Sequence, residues 1–327
     1  MMRMTVLASG SKGNSTVISS SRTRVLVDAG LSCRELLKRM ALAGEDPSTL
    51  DAILITHEHQ DHVAGLAVLA RRLGIPVYIT EPTHRAWVRM VTPRTTMTYA
   101  QWLDHVQKEK EALAATAVQS EEMTGNKDPG ASSLAVSSQS VGSISASACE
   151  PEPSAKSNPA YLPAVEYFHP GSSFCVGDLD IMPFTIPHDA ADPCGFVFSA
   201  EGIRMAFATD LGYVPPNVKA VLKRIDVLLL ESNHDLEMLR DGPYPWSVKQ
   251  RVLSRVGHLS NHATAEFLSN DYDGGASYIV LGHLSESNNA PELARIAAEQ
   301  ALANHPTLLG NRILLATQSA PLDSITL

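Results

Sequence analysis

Five apolar runs in this sequence stop on a carboxylate or an imidazole, and that pattern limits the fold more than any other feature. Asp28 ends Val25-Leu26-Val27, His57 ends Ile53-Leu54-Ile55-Thr56, and His188 follows Phe184-Thr185-Ile186-Pro187. Asp210 ends Ala206-Phe207-Ala208-Thr209, and His283 follows Ile279-Val280-Leu281-Gly282. Short continuous runs of this kind read as strands with both faces buried. The loops at their ends are where a rigid sheet can aim polar groups at one point.

The remaining periodicities fill in the frame. Thr5–Ala8, Ser15–Ile18 and Arg24–Asp28, separated by Gly, Ser and Asn, predict a strand meander. Leu36, Leu37, Met40 and Leu42 predict a helix over 33–43. Val63, Leu66, Leu69, Ala70 and Leu73 predict one helix that starts near Asp61 and is closed by Gly74 and Pro76. A strand at Val77–Thr80 and a helix from Pro82 follow. Residues 107–159 are rich in Ser, Ala, Glu and Lys with few large apolar side chains, and read as a flexible insertion within one domain of 1–327. Beyond it, strands are expected at Phe174–Val176, Leu179–Ile186, Gly195–Ser199, Arg204–Thr209, Val227–Glu231, Ser277–Leu281 and Arg312–Ala316, with helices over 263–268 and 290–304. Two strand-rich halves, each with helices, predict an α+β fold of two face-to-face sheets with helices outside.

Composition narrows the function classes. Hydrophobic residues at 44% and charged residues at 19% suit a soluble globular chain. The net charge of -9 argues against a bulk nucleic-acid binder with a basic face. Two bound divalent cations would nevertheless place about four positive charges in one cleft. No apolar stretch approaches the ~18 residues of a membrane span, and the opening residues lack a signal-peptide pattern. The expectation is a cytoplasmic protein with no membrane association. The four cysteines form no CxxC pair and read as free thiols. Nothing in these patterns encodes the oligomeric state.

The chemistry concentrates in His57-Glu58-His59-Gln60-Asp61-His62. His57 and His59 fall at period two on a loop, and Asp61 and His62 open a helix, so the two pairs can face neighbouring points. Three imidazoles and a carboxylate directly after a buried strand are a poor fit to a chance surface turn. Such donors suit zinc, manganese or iron. Two such ions about 3.5–4 Å apart would hold a bridging hydroxide and clamp an in-line displacement.

The run 57–62 resembles the HxHxDH signature of the metallo-β-lactamase superfamily, and the order Asp28, cluster, His188, Asp210, His283 is similar too. The resemblance implies a four-layer αββα sandwich with two divalent metal ions at one edge of the sheets. It implies that His57, His59 and His188 hold the first ion and Asp61, His62 and His283 the second, with Asp210 bridging. Asp28 would support the ligand loop from behind. Ser9-Gly10-Ser11-Lys12-Gly13-Asn14-Ser15, Pro187-His188-Asp189-Ala190, Leu230-Glu231-Ser232-Asn233, Gly257-His258-Leu259-Ser260-Asn261 and Leu281-Gly282-His283-Leu284-Ser285 resemble the YycJ/WalJ-type bacterial proteins. That group implies a nuclease acting on DNA, with a 5′ exonuclease role in repair.

Similarity to ribonuclease Z-type phosphodiesterases assigns a catalytic role to Glu231 and His258 beside Asp61. A carboxylate can orient an imidazole that donates a proton near neutral pH. His234, in the same loop, departs from the expected pattern and reads as a surface residue. The Ser9–Ser15 loop offers Ser9, Ser11 and Asn14 as phosphate contacts, or is simply a tight turn between strands. The leading expectation is therefore a metal-dependent phosphodiesterase or nuclease with DNA as its partner. The first alternative is a small-substrate metallo-hydrolase acting on a cyclic phosphodiester or thioester. The second is a non-catalytic, metal-stabilised interaction protein.

Overall fold

The computed structural model describes residues 1–92, 158–303 and 310–327. Most of the 107–159 insertion predicted from composition lies outside the described residues, as does Cys149.

The strands form two seven-stranded sheets. The first contains β1 (Arg3–Ala8), β2 (Ser15–Ser19), β3 (Arg24–Val27), β4 (Ala52–Leu54), β5 (Val77–Ile79) and β6 (Val165–Tyr167) in sequence order, with β14 (Ile325–Thr326) beside β1. The second runs from β7 (Phe174–Val176) through β8 (Leu179–Thr185), β9 (Cys194–Ala200), β10 (Ile203–Ala208), β11 (Val227–Glu231) and β12 (Tyr278–Gly282) to β13 (Arg312–Leu315). Strands β3 to β6 are mutually parallel, as are β10 to β13. β6, β14 and the precise strand limits were not read from the sequence.

The continuous apolar runs have a direct physical cause: each strand serves two cores. Val25, Val27 and Leu54 pack between the sheets, with Phe207, Leu229 and Val280 from the opposite one. Their immediate neighbours Leu26 and Ile53 face the other way, into a cluster with Leu36, Leu69 and Trp87. Ala206, Leu228 and Ile279 likewise face Phe267, Leu268 and Ala294 on the outer side of the second sheet. Period-two alternation thus carries apolar groups to both faces. Helices α1 (Cys33–Leu42), α3 (Leu66–Leu73) and α4 (Glu81–Val91) cover the first sheet. α8 (Asn261–Asn270) and α9 (Pro291–Leu302) cover the second, which gives the expected αββα layers.

The single helix predicted from Asp61 to Leu73 is two, α2 (Gln60–Val63) and α3. The break falls at Gly65, whose N–H donates to Ala29 O at 2.8 Å. A Cβ at this position would collide with the Leu31 carbonyl, so the turn tolerates no side chain. Three short helices also escaped the periodicity: α5 (Pro216–Val221), α6 (Leu236–Asp241) and α7 (Trp246–Val252). Cys33, Cys175 and Cys194 are free thiols, as expected. Among the described residues no helix is long and apolar enough to cross a membrane.

Candidate metal centre

All five strand-end residues meet at one edge of the two sheets, where the parallel strands end. That is where αβ-type sheets place ligands. Asp28, Asp210 and His283 each follow a strand by one or two residues, and each has a positive φ, between 55° and 63°. For non-glycine residues this conformation is sparsely populated and marks functional turns.

Among the described residues, four groupings have donor atoms within 4.8 Å of one another: His57/His59/His188, His57/His62/Asp210, Asp61/His62/His283 and Asp210/Glu231/His258/His283. His188 Nε2 is 3.2 Å from His59 Nδ1. His62 Nε2 is 3.4 Å from Asp210 Oδ2 and 3.5 Å from Asp61 Oδ2. His283 Nε2 is 3.5 Å from that same Asp61 oxygen. The two triads expected from the resemblance are thus present as two adjacent clusters, with Asp210 reaching both.

The far sides of four of these rings are fixed by the protein. His188 Nδ1 donates to Gly257 O at 3.2 Å, and His283 Nδ1 donates to Glu231 Oε1 at 2.8 Å. His62 Nδ1 donates to Asp28 Oδ2 at 2.8 Å, and His57 Nδ1 is 3.0 Å from Thr56 Oγ1. A proton held on Nδ1 leaves the Nε2 lone pair pointing inward, the arrangement that metal-ligating histidines use. Among the described residues His57 Nε2 and Asp210 Oδ2 are buried without a hydrogen bond. Such orphaned acceptors are costly unless something else satisfies them. A divalent cation fits this donor set, which is imidazole nitrogen and carboxylate oxygen throughout.

The electrostatics differ from ring to ring. Burial, with His62, His188 and His59 nearby, pushes His57 well below the ordinary histidine value, so its ring is neutral and able to coordinate. For His62 burial opposes the charge, but Asp210, Asp61 and Asp28 together raise it well above that value. Burial raises Glu231, yet His258 and His283 outweigh it and hold the carboxyl below its usual range.

Glu231 is fully buried at the end of β11. Its Oε1 accepts from His258 Nδ1 and His283 Nδ1, both at 2.8 Å, and its Oε2 accepts from Leu211 N at 2.7 Å and Leu259 N at 3.2 Å. It therefore acts on the two imidazoles and has no open face of its own. His258 is partly open, and its Nδ1 is 3.7 Å from Asp210 Oδ1.

The Ser9–Ser15 loop packs against the ligand loops. Ser9 Oγ accepts from His283 N at 2.7 Å, and buried Asn14 binds Gly10 O at 3.0 Å and Asp61 Oδ2 at 3.3 Å. Both side chains are spent holding the ligand loops, and of the three residues only Ser11 is exposed. His234 is the clear correction: it is 1% exposed, not a surface residue. Main-chain bonds from Asn233 N to Leu259 O and from Asn261 N to His234 O, each 2.8 Å, pull it beneath the start of α8. Its ring nitrogens have no hydrogen-bond partner among the described residues.

Three supporting groups had no role assigned from the sequence. Thr56 Oγ1 bonds Asp28 Oδ2 at 2.9 Å while contacting both His57 and His62, and a threonine in a strand is unremarked by pattern. Gly30 packs where a Cβ would strike the Asp61 carbonyl. Asn233 Nδ2 donates to His283 O at 2.8 Å, pinning its turn.

Comparison with known proteins agrees with this geometry. Residues 8–139 match the Metallo-beta-lactamase superfamily and residues 143–283 the Beta-lactamase superfamily domain. The chain is 32% identical over 301 residues to exodeoxyribonuclease WalJ of Streptococcus pneumoniae, covering 92% of this chain and 88% of the relative. It is 32% identical over 301 residues to exodeoxyribonuclease YycJ of Bacillus anthracis, covering 92% and 89%. The crystal structure of the metallo-beta-lactamase fold protein YhfI from Bacillus subtilis superposes with a TM-score of 0.60 at 14% identity, covering 98% of each chain. The chain belongs to the metallo-beta-lactamase superfamily, within its WalJ/YycJ-type group.

Proposed function

We propose that the protein is a metal-dependent phosphodiesterase that degrades DNA as an exonuclease, with zinc or manganese as the metal and iron as a further candidate. The observation that carries this reading is the Glu231–His258 pair beside the candidate ligands. A hydrolase of activated esters needs only the metal centre, whereas phosphodiester cleavage benefits from a proton donor for a poor leaving group. The names of the WalJ and YycJ relatives support the substrate class.

Residues His57, His59 and His188 would hold one ion, Asp61, His62 and His283 the other, and Asp210 both. When bound, two such ions supply a water-derived nucleophile and a counter-charge for the phosphate. Glu231 accepts from His258 Nδ1–H and stabilises the imidazolium, whose Nε2–H on the open side passes its proton to the departing oxygen, leaving the ring neutral with its remaining proton on Nδ1. Ser9, Asn14, Thr56 and Asp28 hold the ligand loops.

Metal-stripped protein, reloaded with Mn²⁺ or Zn²⁺ and given end-labelled single-stranded and duplex DNA, tests the proposal. Mononucleotide release is expected, lost with chelator. His59→Ala should lose bound metal and activity together. Turnover of a thioester or lactone, with no DNA cleaved under any metal, would overturn it.

A further inference from the structure

Between Asp241 and Glu266 the chain carries no carboxylate, although its net charge is -9. Lys249, Arg251 and Arg255 fall inside this stretch, as do Tyr244 and Trp246. The same stretch exposes apolar surface: Trp246 is 65% exposed, Leu253 50% and Val256 43%. Trp87, by contrast, is buried in the first sheet's outer core. A large exposed apolar patch mixed with cations marks a binding surface.

This stretch is wired to the metal centre. His258 N donates to Val252 O at 3.0 Å, Asp189 N donates to Val256 O at 3.1 Å, and His188 donates to Gly257 O at 3.2 Å. The Arg251 guanidinium is paired in a fork with Asp189, whose Oδ1 is 3.5 Å from His188 Nε2. At the other end Gly242 packs so closely on Asn288, five residues beyond His283, that a Cβ there would strike the Asn288 side chain. The stretch therefore runs past the centre from the His283 side to the His188 side. Lys249 is spent internally, its Nζ donating to Arg240 O at 2.7 Å. Arg255 lies over the Tyr213 ring at 4.1 Å and, among the described residues, has no carboxylate partner.

We propose that residues 243–256 form a rim that grips one strand of DNA beside the centre: the Trp246 indole stacks on an unpaired base, and Arg255 holds a flanking phosphate. An exposed indole offers a π-face that only an unpaired base can meet. A planar guanidinium matches phosphate oxygens. The stretch lacks the carboxylates that would repel a polyanion. The proposal rests on the phosphodiesterase reading, and it names residues through which that site would choose single strands.

The test is fluorescence anisotropy of a labelled oligothymidylate with the full chain held metal-free in EDTA, so that nothing is cut. Trp246→Ala should raise Kd about tenfold, as expected for one lost base stack. Trp246→Phe should recover most of that loss. Arg255→Gln should lower the slope of log Kd against log salt by about 0.7, one phosphate contact to a single strand. If both variants bind like wild type, or if the Phe variant is as weak as the Ala variant, the rim is wrong even though wild type still degrades DNA when metal is restored. If wild type neither binds nor degrades DNA, the phosphodiesterase reading fails and the rim fails with it.

Discussion

Glu231 Oε1 lies 2.8 Å from His258 Nδ1, with the carboxylate fully buried and the imidazole partly open. The buried partner fixes which nitrogen carries the proton, and so which nitrogen faces a substrate. His258→Ala should lower kcat on DNA about a hundredfold, the usual scale for general-acid catalysis. With a p-nitrophenyl phosphodiester, whose leaving group departs without a proton, the loss should be less than about tenfold. Parallel kcat measurements on the two substrates separate proton delivery from structural damage: equal losses would count against the role. Metal content of the variant should stay at the wild-type level.

Gly30 is a second point of leverage. Its N–H donates to Asn14 O at 2.9 Å, Asn14 N donates to Asp61 O at 2.7 Å, and a side chain at 30 would push into that Asp61 carbonyl. Gly30→Ala should therefore displace the Asp61 loop while leaving both sheets intact. The expected cost is about 1–3 kcal/mol of stability, typical of overpacking, with weaker metal binding. Thermal unfolding and metal titration would show both, and normal metal affinity would contradict the account.

His234 sets a pH dependence. Burial outweighs the nearby carboxylates of Glu231 and Asp235, and, with His258 also disfavouring charge, lowers the ring from 6.5 to about 4. Below pH 6.5 the unfolded chain takes up a proton that the folded chain refuses, so stability falls as pH drops from about 6.5 to about 4 and this contribution then levels off. His234→Gln should remove that component. The difference between wild type and variant in urea-unfolding free energy should change by up to about 3 kcal/mol across the window. A difference that stays constant with pH would refute the assignment.

The ligand set was legible because a strand buried on both faces must be apolar throughout, so the residue at its end stands out. Asp28, His57, Asp210 and His283 announce themselves in this way. The supporting groups do not. Thr56 is an ordinary strand residue until the fold brings Asp28, His57 and His62 to its hydroxyl. Ser9 gives no local sign that it holds His283, because that bond spans 274 positions. His234 looked exposed because its cover comes from a bridge to Ser260. The seven-residue helix α7 is too short to establish a period, and the two-residue β14 exists through pairing with Arg3 and Met4.

The candidate ligands are dealt out over residues 57–283, from His57 in the first sheet's half to His283 in the second. No nascent piece that stops short of residue 283 holds the complete set. The strand that closes the first sheet, Ile325–Thr326, is made later still. The centre is therefore a property of the two sheets together: neither triad, His57/His59/His188 or Asp61/His62/His283, is complete on one sheet alone.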